Sequence, residues 1–159
     1  METKTVVELR HREYETGDLW LLKGRLIPSA DRSHECEEFA QEGYAITRIR
    51  NGVVEACIGV VAVDDGIELW SAPSIGLVED HLVEYCRFAM RLVDVAADEH
   101  LEGAAAVLSG ILQDLREDLV VHVPEDDIKT QRWLSWLGFE DRGIRKEGGI
   151  AMLNMGGGG

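Results

Sequence analysis

Apolar residues in this chain fall into two rhythms: short β-branched runs, and stretches with apolar positions spaced three or four apart. Thr5 to Leu9 is apolar and β-branched and predicts a first strand. Asp18 precedes Leu19, Trp20, Leu22, Leu26 and Ile27, an apolar helical face that Asp18 can cap and Pro28 ends. Glu35 to Gln41 predicts a second short helix, closed by Gly43. Tyr44 to Arg50 and Val53 to Val63 flank Asn51-Gly52. That pair supplies the positive φ angles of a tight turn, so the two runs predict a hairpin. Asp65-Gly66 does the same before Ile67-Glu68-Leu69-Trp70, which makes a three-stranded antiparallel meander.

Helical spacing takes over at Leu77. Leu82, Cys86, Ala89, Val93 and Ala96 line one side of a helix predicted from Leu77 to Ala97, with Tyr85 and Leu92 beside them. Glu79, Asp80, Glu84, Arg87, Arg91 and Asp94 fall mostly on its wet side. Gly103 breaks the pattern, and Ala104 to Leu115 predicts another helix, weakened by Gly110. Leu119 to Val123 reads as a strand and Ile128 to Leu137 as a helix stopped by Gly138. Glu140 to Ile144 and Gly149 to Met155 form a closing hairpin-like pair. Residues 1–155 are expected to be one domain, and Gly156 to Gly159 a flexible glycine tail.

Length and charge narrow the function. A chain of 159 residues suits one domain with a sizeable core. Its formal charge of −14, from 30 acidic and 16 basic residues, argues against a broad nucleic-acid surface. It suits solubility or a basic partner. No apolar run approaches the roughly 20 residues of a membrane span. The start, Met1-Glu2-Thr3-Lys4-Thr5, lacks the basic and apolar segments of a secretory leader, so a cytoplasmic location is expected. Cys36, Cys57 and Cys86 are widely spaced and odd in number, which predicts reduced, mostly buried thiols.

The segment from Asp127 to Phe139, set behind the strand at 119–123, carries a resemblance. It resembles the C-terminal half of the Gcn5-related N-acetyltransferase superfamily, where the usual pattern is N-x-x-A-x-x-L-Y-x-x-x-G-F. Gly138 and Phe139 fit its end. Asp127 stands where the Asn usually is, Thr130 where the Ala is, and Leu134 where the Tyr is. The element order is similar to that family over nearly the whole chain, with the helix at 104–115 as an addition. The resemblance implies an α/β (α+β) fold: a mixed, mostly antiparallel sheet flanked by helices. It also implies that the fourth and fifth strands run parallel and splay apart.

The chemistry implied by the resemblance is less complete. The family holds the acetyl-CoA pyrophosphate in a turn of pattern Q/R-x-x-G-x-G/A, where bare backbone and helix N–H groups face the phosphates. The matching stretch, Trp70 to Asp80, has one glycine, Gly76, and no Arg or Gln. Glu79 and Asp80 are expected near the first turn of the helix, where they would repel a pyrophosphate. The remaining candidates for cofactor contact are Leu69, Ser71, Ser74 and Gly76. Leu134 cannot act as the family's proton-donating Tyr. Glu68, on the fourth strand, stands where the family's carboxylate base can lie, and Glu55 is on the strand before it. A solvated strand carboxylate is the commoner fate of such residues. Among the histidines, His34, His81, His100 and His122 show no metal-ligand spacing, and His122 is expected to be a hydrogen-bonded core or rim residue. Trp133, Leu137 and Phe139 are expected core anchors.

Acetyltransferase-like proteins of podoviruses, including small internal virion proteins, are similar in three respects: the meander with a Trp in its fourth strand, the missing glycine-rich turn, and the short helix before a Gly. That likeness implies an interaction or assembly role, cytoplasmic or in a virion, with no cofactor. The alternative is an active acetyl-CoA-dependent N-acetyltransferase acting on an amine or a basic protein. In the 104–115 helix, Ala104, Ala105, Val107, Leu108, Ile111, Leu112 and Leu115 exceed one buried stripe. Self-association or a protein partner is therefore expected there, unless all of them pack into the core. Trp20 and Trp136 are expected to be exposed and to add aromatic anchors.

Overall fold

The computed structural model describes residues 7–22, 33–64, 66–93, 101–136, 138–146 and 149–154. Its first half is organised by the Asn51-Gly52 turn, where φ is 51° and 80°. These two left-handed residues join Tyr44–Arg50 (β2) to Val53–Val63 (β3) as an antiparallel hairpin. The Asn51 side chain accepts the Glu8 N–H (2.9 Å), and the Asn51 N–H donates to the Glu8 carbonyl (2.7 Å). This clamp sets the start of Leu9–Glu13 (β1), which pairs antiparallel with β2. Of the expected Thr5–Leu9 run, Leu9 begins this strand, and Thr5 and Val6 lie outside the described residues.

Gly66–Pro73 (β4) completes the meander against β3. Two helices follow where one was expected from Leu77: Ile75–Asp80 (α2) and Leu82–Val93 (α3). Ser74 starts α2 in an extended conformation and accepts the Leu77 N–H (3.2 Å). His81 breaks the run at φ −135°, and residues 94–97 lie outside the described residues. Next come Gly103–Asp114 (α4), Leu119–Pro124 (β5) and Ile128–Trp136 (α5). Phe139–Lys146 (β6) and Gly149–Asn154 (β7) close the chain. The seven strands form one sheet in the order β1-β2-β3-β4-β5-β7-β6, antiparallel except where β4 meets β5. This is the expected mixed, mostly antiparallel sheet.

Strand alternation gives the sheet two buried faces. Ile46, Ile58 and Leu69 face α3 and α4, and Leu134, Phe139 and Met152 continue that core. Ala45, Cys57 and Trp70 face Ser33–Glu42 (α1) and the 3-10 helix Asp18–Leu22. The expected helix after Asp18 is this single 3-10 element; residues 23–32 lie outside the described residues. Asp18 does not act as a simple cap. Its buried carboxylate accepts two bonds from Arg12 (2.7 and 3.1 Å), one from the Thr47 hydroxyl (2.6 Å) and one from the Glu15 N–H (2.9 Å). Burial alone would raise its pKa, but the bonds from Arg12, Thr47 and Glu15 outweigh that and hold it low.

In the helix at 104–115, one stripe packs into the core. Ala105, Leu108 and Leu112 are buried at helical spacing, and Ala104 and Ile111 pack against the same core. Val107 remains 51% exposed. Asp127 caps α5 by accepting the Thr130 N–H (3.2 Å) and hydroxyl (2.7 Å). Gly138, at φ 99°, ends that helix turn and delivers Phe139 to the core with 0% exposure. Trp133 is half-buried against that core and Leu137 lies outside the described residues. Trp20 and Trp136 are exposed, as expected. Cys36, Cys57 and Cys86 are free thiols. Among the described residues no helix is long and apolar enough to cross a membrane.

Candidate functional site

β4 and β5 are paired only through Ile67–Leu119 and Glu68–Val120. β4 runs on to Pro73 with β3 on its other side. From Leu69 to Pro73, the β5 side of β4 therefore has no ladder partner among the described residues. A wedge opens there between the two strands.

Glu68 marks the point where the strands part. It is 2% exposed and bonded to Nδ1 of His122 on β5. Val120 lies opposite Glu68, and His122, two residues on, shares its face. The solvated carboxylate expected as the commoner fate is therefore a buried one. A carboxylate in the sheet interior needs a polar partner, and His122 supplies it from the neighbouring strand. The His122 side chain is 18% exposed, so the pair links the interior to the surface. A carboxylate that orients an imidazole is an arrangement for moving a proton.

The other expected site residues do different things. Leu69 packs toward α3 in the core. The Ser71 hydroxyl is bonded to the Tyr85 hydroxyl (2.6 Å), and burial pushes the Tyr85 pKa up to about 12. The Ser74 hydroxyl is used to cap α2. Gly76 is exposed, and a Cβ there would meet nothing within 4 Å. The chain's own packing thus gives no reason for a glycine at this helical position, where it is less stable than alanine. Glu79 and Asp80 are corrected in position. Because α2 begins at Ile75, they are its last two residues, and its first turn holds no acid.

Glu55 is buried and forms ion pairs with Arg48 (2.9 Å) and Arg50 (2.7 Å) on the α3 face, away from the wedge. Leu134, at the family's Tyr position, is 2% exposed within the apolar core. Burial pushes the Cys57 thiol up to about 12, which leaves it a protonated, inert group at neutral pH. His81 lies 3.6 Å from Glu84 at the helix junction. The side chain of His34, and all of His100, lie outside the described residues. Among the described residues no His, Cys, Asp and Glu cluster could hold a metal.

Sequence reasoning missed two buried polar groups, Thr47 and Arg48. Arg48 lies in the α3 face between apolar neighbours, with its guanidinium over the Phe88 ring (5.2 Å) and the Tyr85 ring (5.6 Å). The available signal was its place two residues after Ile46, on the same strand face.

No protein-family model and no curated protein matches the sequence. Solved structures do match in three dimensions. An IAA acetyltransferase from Bacillus cereus superposes with a TM-score of 0.58 at 11% identity, over 91% of this chain and 97% of that one. The ribosomal-protein-S18-alanine N-acetyltransferase of Escherichia coli gives 0.57 at 16%, over 95% and 97%. A Bacillus subtilis acetyltransferase in complex with CoA gives 0.57 at 13%, over 93% and 99%. The likeness spans nearly the whole of each chain and shows that this chain has the acetyltransferase fold.

Proposed function

We propose that this chain uses the acetyltransferase fold for binding rather than for efficient acyl transfer, and acts through protein contacts. The observation that carries this reading is Leu134, an apolar core residue where the family places a proton donor. Amine acylation by a thioester releases a thiolate that must be protonated. General acid–base catalysis is worth on the order of 10²–10⁴-fold, so losing the donor slows the reaction without forbidding it. The capped start of α2 adds to the case, because the Ser74 hydroxyl already occupies the Leu77 N–H. The exposed indoles of Trp20 and Trp136 supply the contact chemistry. An assembly role in a virion is the finer form of this reading, and it rests on the sequence resemblance alone. Sedimentation of the full chain tests the contact role. Self-association that weakens in Trp20→Ser or Trp136→Ser, with unchanged circular dichroism, supports it. A strict monomer that turns over acetyl-CoA repeatedly overturns it.

A second reading, acetyl-CoA-dependent N-acetylation, is favoured by the wedge and its proton-handling pair. The residues fit the cofactor in part. The β5 side of β4 offers strand-like backbone to the amides of a CoA arm, and Gly76 offers a bare backbone near the phosphates. Bound acetyl-CoA would supply the acyl group as a thioester. Glu68 would hold the His122 ring, and the pair would take the proton from the incoming ammonium. Under this reading Glu68→Gln abolishes thiol release with spermidine or a lysine peptide. Equal rates in the two proteins would dismiss the pair as a base.

A further inference from the structure

Two exposed surfaces, one on each face of the sheet, carry complementary chemistry. The first is on α5. Residues four apart on a helix share a side, so Ile128, Arg132 and Trp136 line one stripe. Lys129 lies beside Trp136, and all four residues are exposed. Leu134 points the other way, into the core shared with α3 and α4. Among the described residues Lys129 and Arg132 make no ion pair. Glu125, Asp126 and Asp127 precede the helix rather than joining its stripe, and Asp127 is engaged in the cap.

The second surface is on the opposite face, where α1 and the 3-10 helix Asp18–Leu22 pack together through Leu19, Leu22 and Cys36. Glu38 and Glu42 are four residues apart on α1, and both are exposed. Among the described residues neither makes an ion pair. Like charges at that spacing repel each other and weaken the helix. Trp20 and Leu21, on the 3-10 helix, are each more than half exposed. Both also interact within their own chain, and it is their outward area that counts here. One surface is thus apolar and basic, and the other is apolar and acidic.

We propose that these surfaces dock on each other between copies of this chain, α5 of one copy against α1 and the 3-10 helix of the next. Lys129 and Arg132 meet Glu38 and Glu42, while Ile128 and Trp136 cover Trp20 and Leu21. The inference rests on the reading that the chain acts through protein contacts, and it names the partner. Charge selects the occupant. The chain carries −14 overall, so most contacts between copies are repulsive. A register that sets the cationic stripe against acid is the exception. An acidic protein of another kind would satisfy α5 but leave Glu38, Glu42 and Trp20 uncovered, whereas a second copy serves both surfaces. Because the two surfaces lie on opposite faces, one copy cannot pair reciprocally with a single partner. The contact is head-to-tail and passes from copy to copy, as a filament or a closed ring.

Sedimentation of the full chain tests the proposal, alongside Lys129→Glu with Arg132→Glu, Glu38→Lys with Glu42→Lys, and an equimolar mixture of these two double variants. The wild type is expected to form species larger than a dimer, and added salt is expected to weaken them. Each double variant sets like charges against each other and is expected to associate about tenfold or more less tightly, with an unchanged circular-dichroism spectrum. The mixture is expected to recover the wild-type species, because the acidic α5 of one variant then meets the basic α1 of the other. In the wild type, a carbodiimide, which joins an amine to a carboxylate in contact, is expected to link Lys129 of one copy to Glu38 or Glu42 of another. Association unmoved by either double variant, or variants that stay apart when mixed, would overturn the proposal and leave the contact reading to another surface. A wild-type monomer without acetyl-CoA turnover would also overturn it and give the contact to a different protein. A monomer that turns over acetyl-CoA repeatedly would remove both readings.

Discussion

Glu68–His122 and Arg48–Glu55 each hold a buried carboxylate, one on each face of the same sheet, yet their surroundings differ. Arg48 and Glu55 lie on β2 and β3, which are hydrogen-bonded along their length. Arg50 joins them by bonding both Glu55 (2.7 Å) and Glu84 of α3 (2.7 Å). Two arginines and two glutamates thus tie α3 to the sheet. Glu68 and His122 sit instead where β4 and β5 lose their ladder. Burial of charge does not separate a structural site from a chemical one. The place where backbone pairing ends distinguishes the two, because beyond Glu68 the β5 side of β4 has no ladder partner among the described residues.

The largest effect that sharpens this contrast is expected from Arg48→Met. It leaves Glu55 and Glu84 with Arg50 as their remaining arginine, and removing one partner of a buried pair costs about 3–5 kcal/mol. Phe139→Ala gives an uncharged reference of similar size, about 3–5 kcal/mol for a ring with no exposure. Urea unfolding measures both. A loss under about 1 kcal/mol for Arg48→Met would place its network among surface ion pairs. Glu68→Gln is expected to cost only about 1 kcal/mol in the same assay, because the amide keeps a hydrogen-bonding partner for His122. A cost equal to that of Arg48→Met would make the wedge pair a second structural clamp.

Acid separates the two faces next. His11 has a pKa of about 4 in the folded chain against 6.5 unfolded. Between these values the unfolded chain binds more protons, so stability is full above pH 6.5 and falls as the pH drops toward 4. His11→Gln is expected to flatten that part of the urea-midpoint profile. A variant as acid-sensitive as the wild type would remove His11 from the explanation. The smallest effect is expected from Glu79→Gln with Asp80→Asn. These acids end α2 rather than begin it, so acetyl-CoA affinity is expected to change by less than about twofold, well under the tenfold that 1.4 kcal/mol represents. A large gain would restore the expectation that they repel the phosphates.

Strand and helix types were legible because turn and cap residues speak locally. Asn51-Gly52 announced the hairpin, and Gly138-Phe139 announced the close of α5. What was not legible depended on partners distant in sequence. Glu8 and Asn51 set the start of β1, 43 positions apart. Ser74 started α2 earlier than the apolar spacing implied, and this moved Glu79 and Asp80 to its end. At 104–115, Ala105, Leu108 and Leu112 pack into the core beside α3, while Val107 stays exposed. In the site, Glu68 was placed on the right strand by resemblance, but its burial and its bond to His122 span 54 positions and follow only from the β4–β5 parallel pairing. Arg48 was invisible because an Arg in a strand reads as solvent-facing until its partners are assembled around it.

The central claim is that this acetyltransferase fold lacks the proton donor needed for efficient transfer. Thiol release from acetyl-CoA, followed over many enzyme equivalents with spermidine and a lysine peptide, measures it most directly. The account predicts release in the wild type too slow for repeated turnover, on the order of 10²–10⁴-fold below a transferase that keeps the donor. Sustained turnover that disappears in Glu68→Gln would contradict it and establish the wedge as an active site.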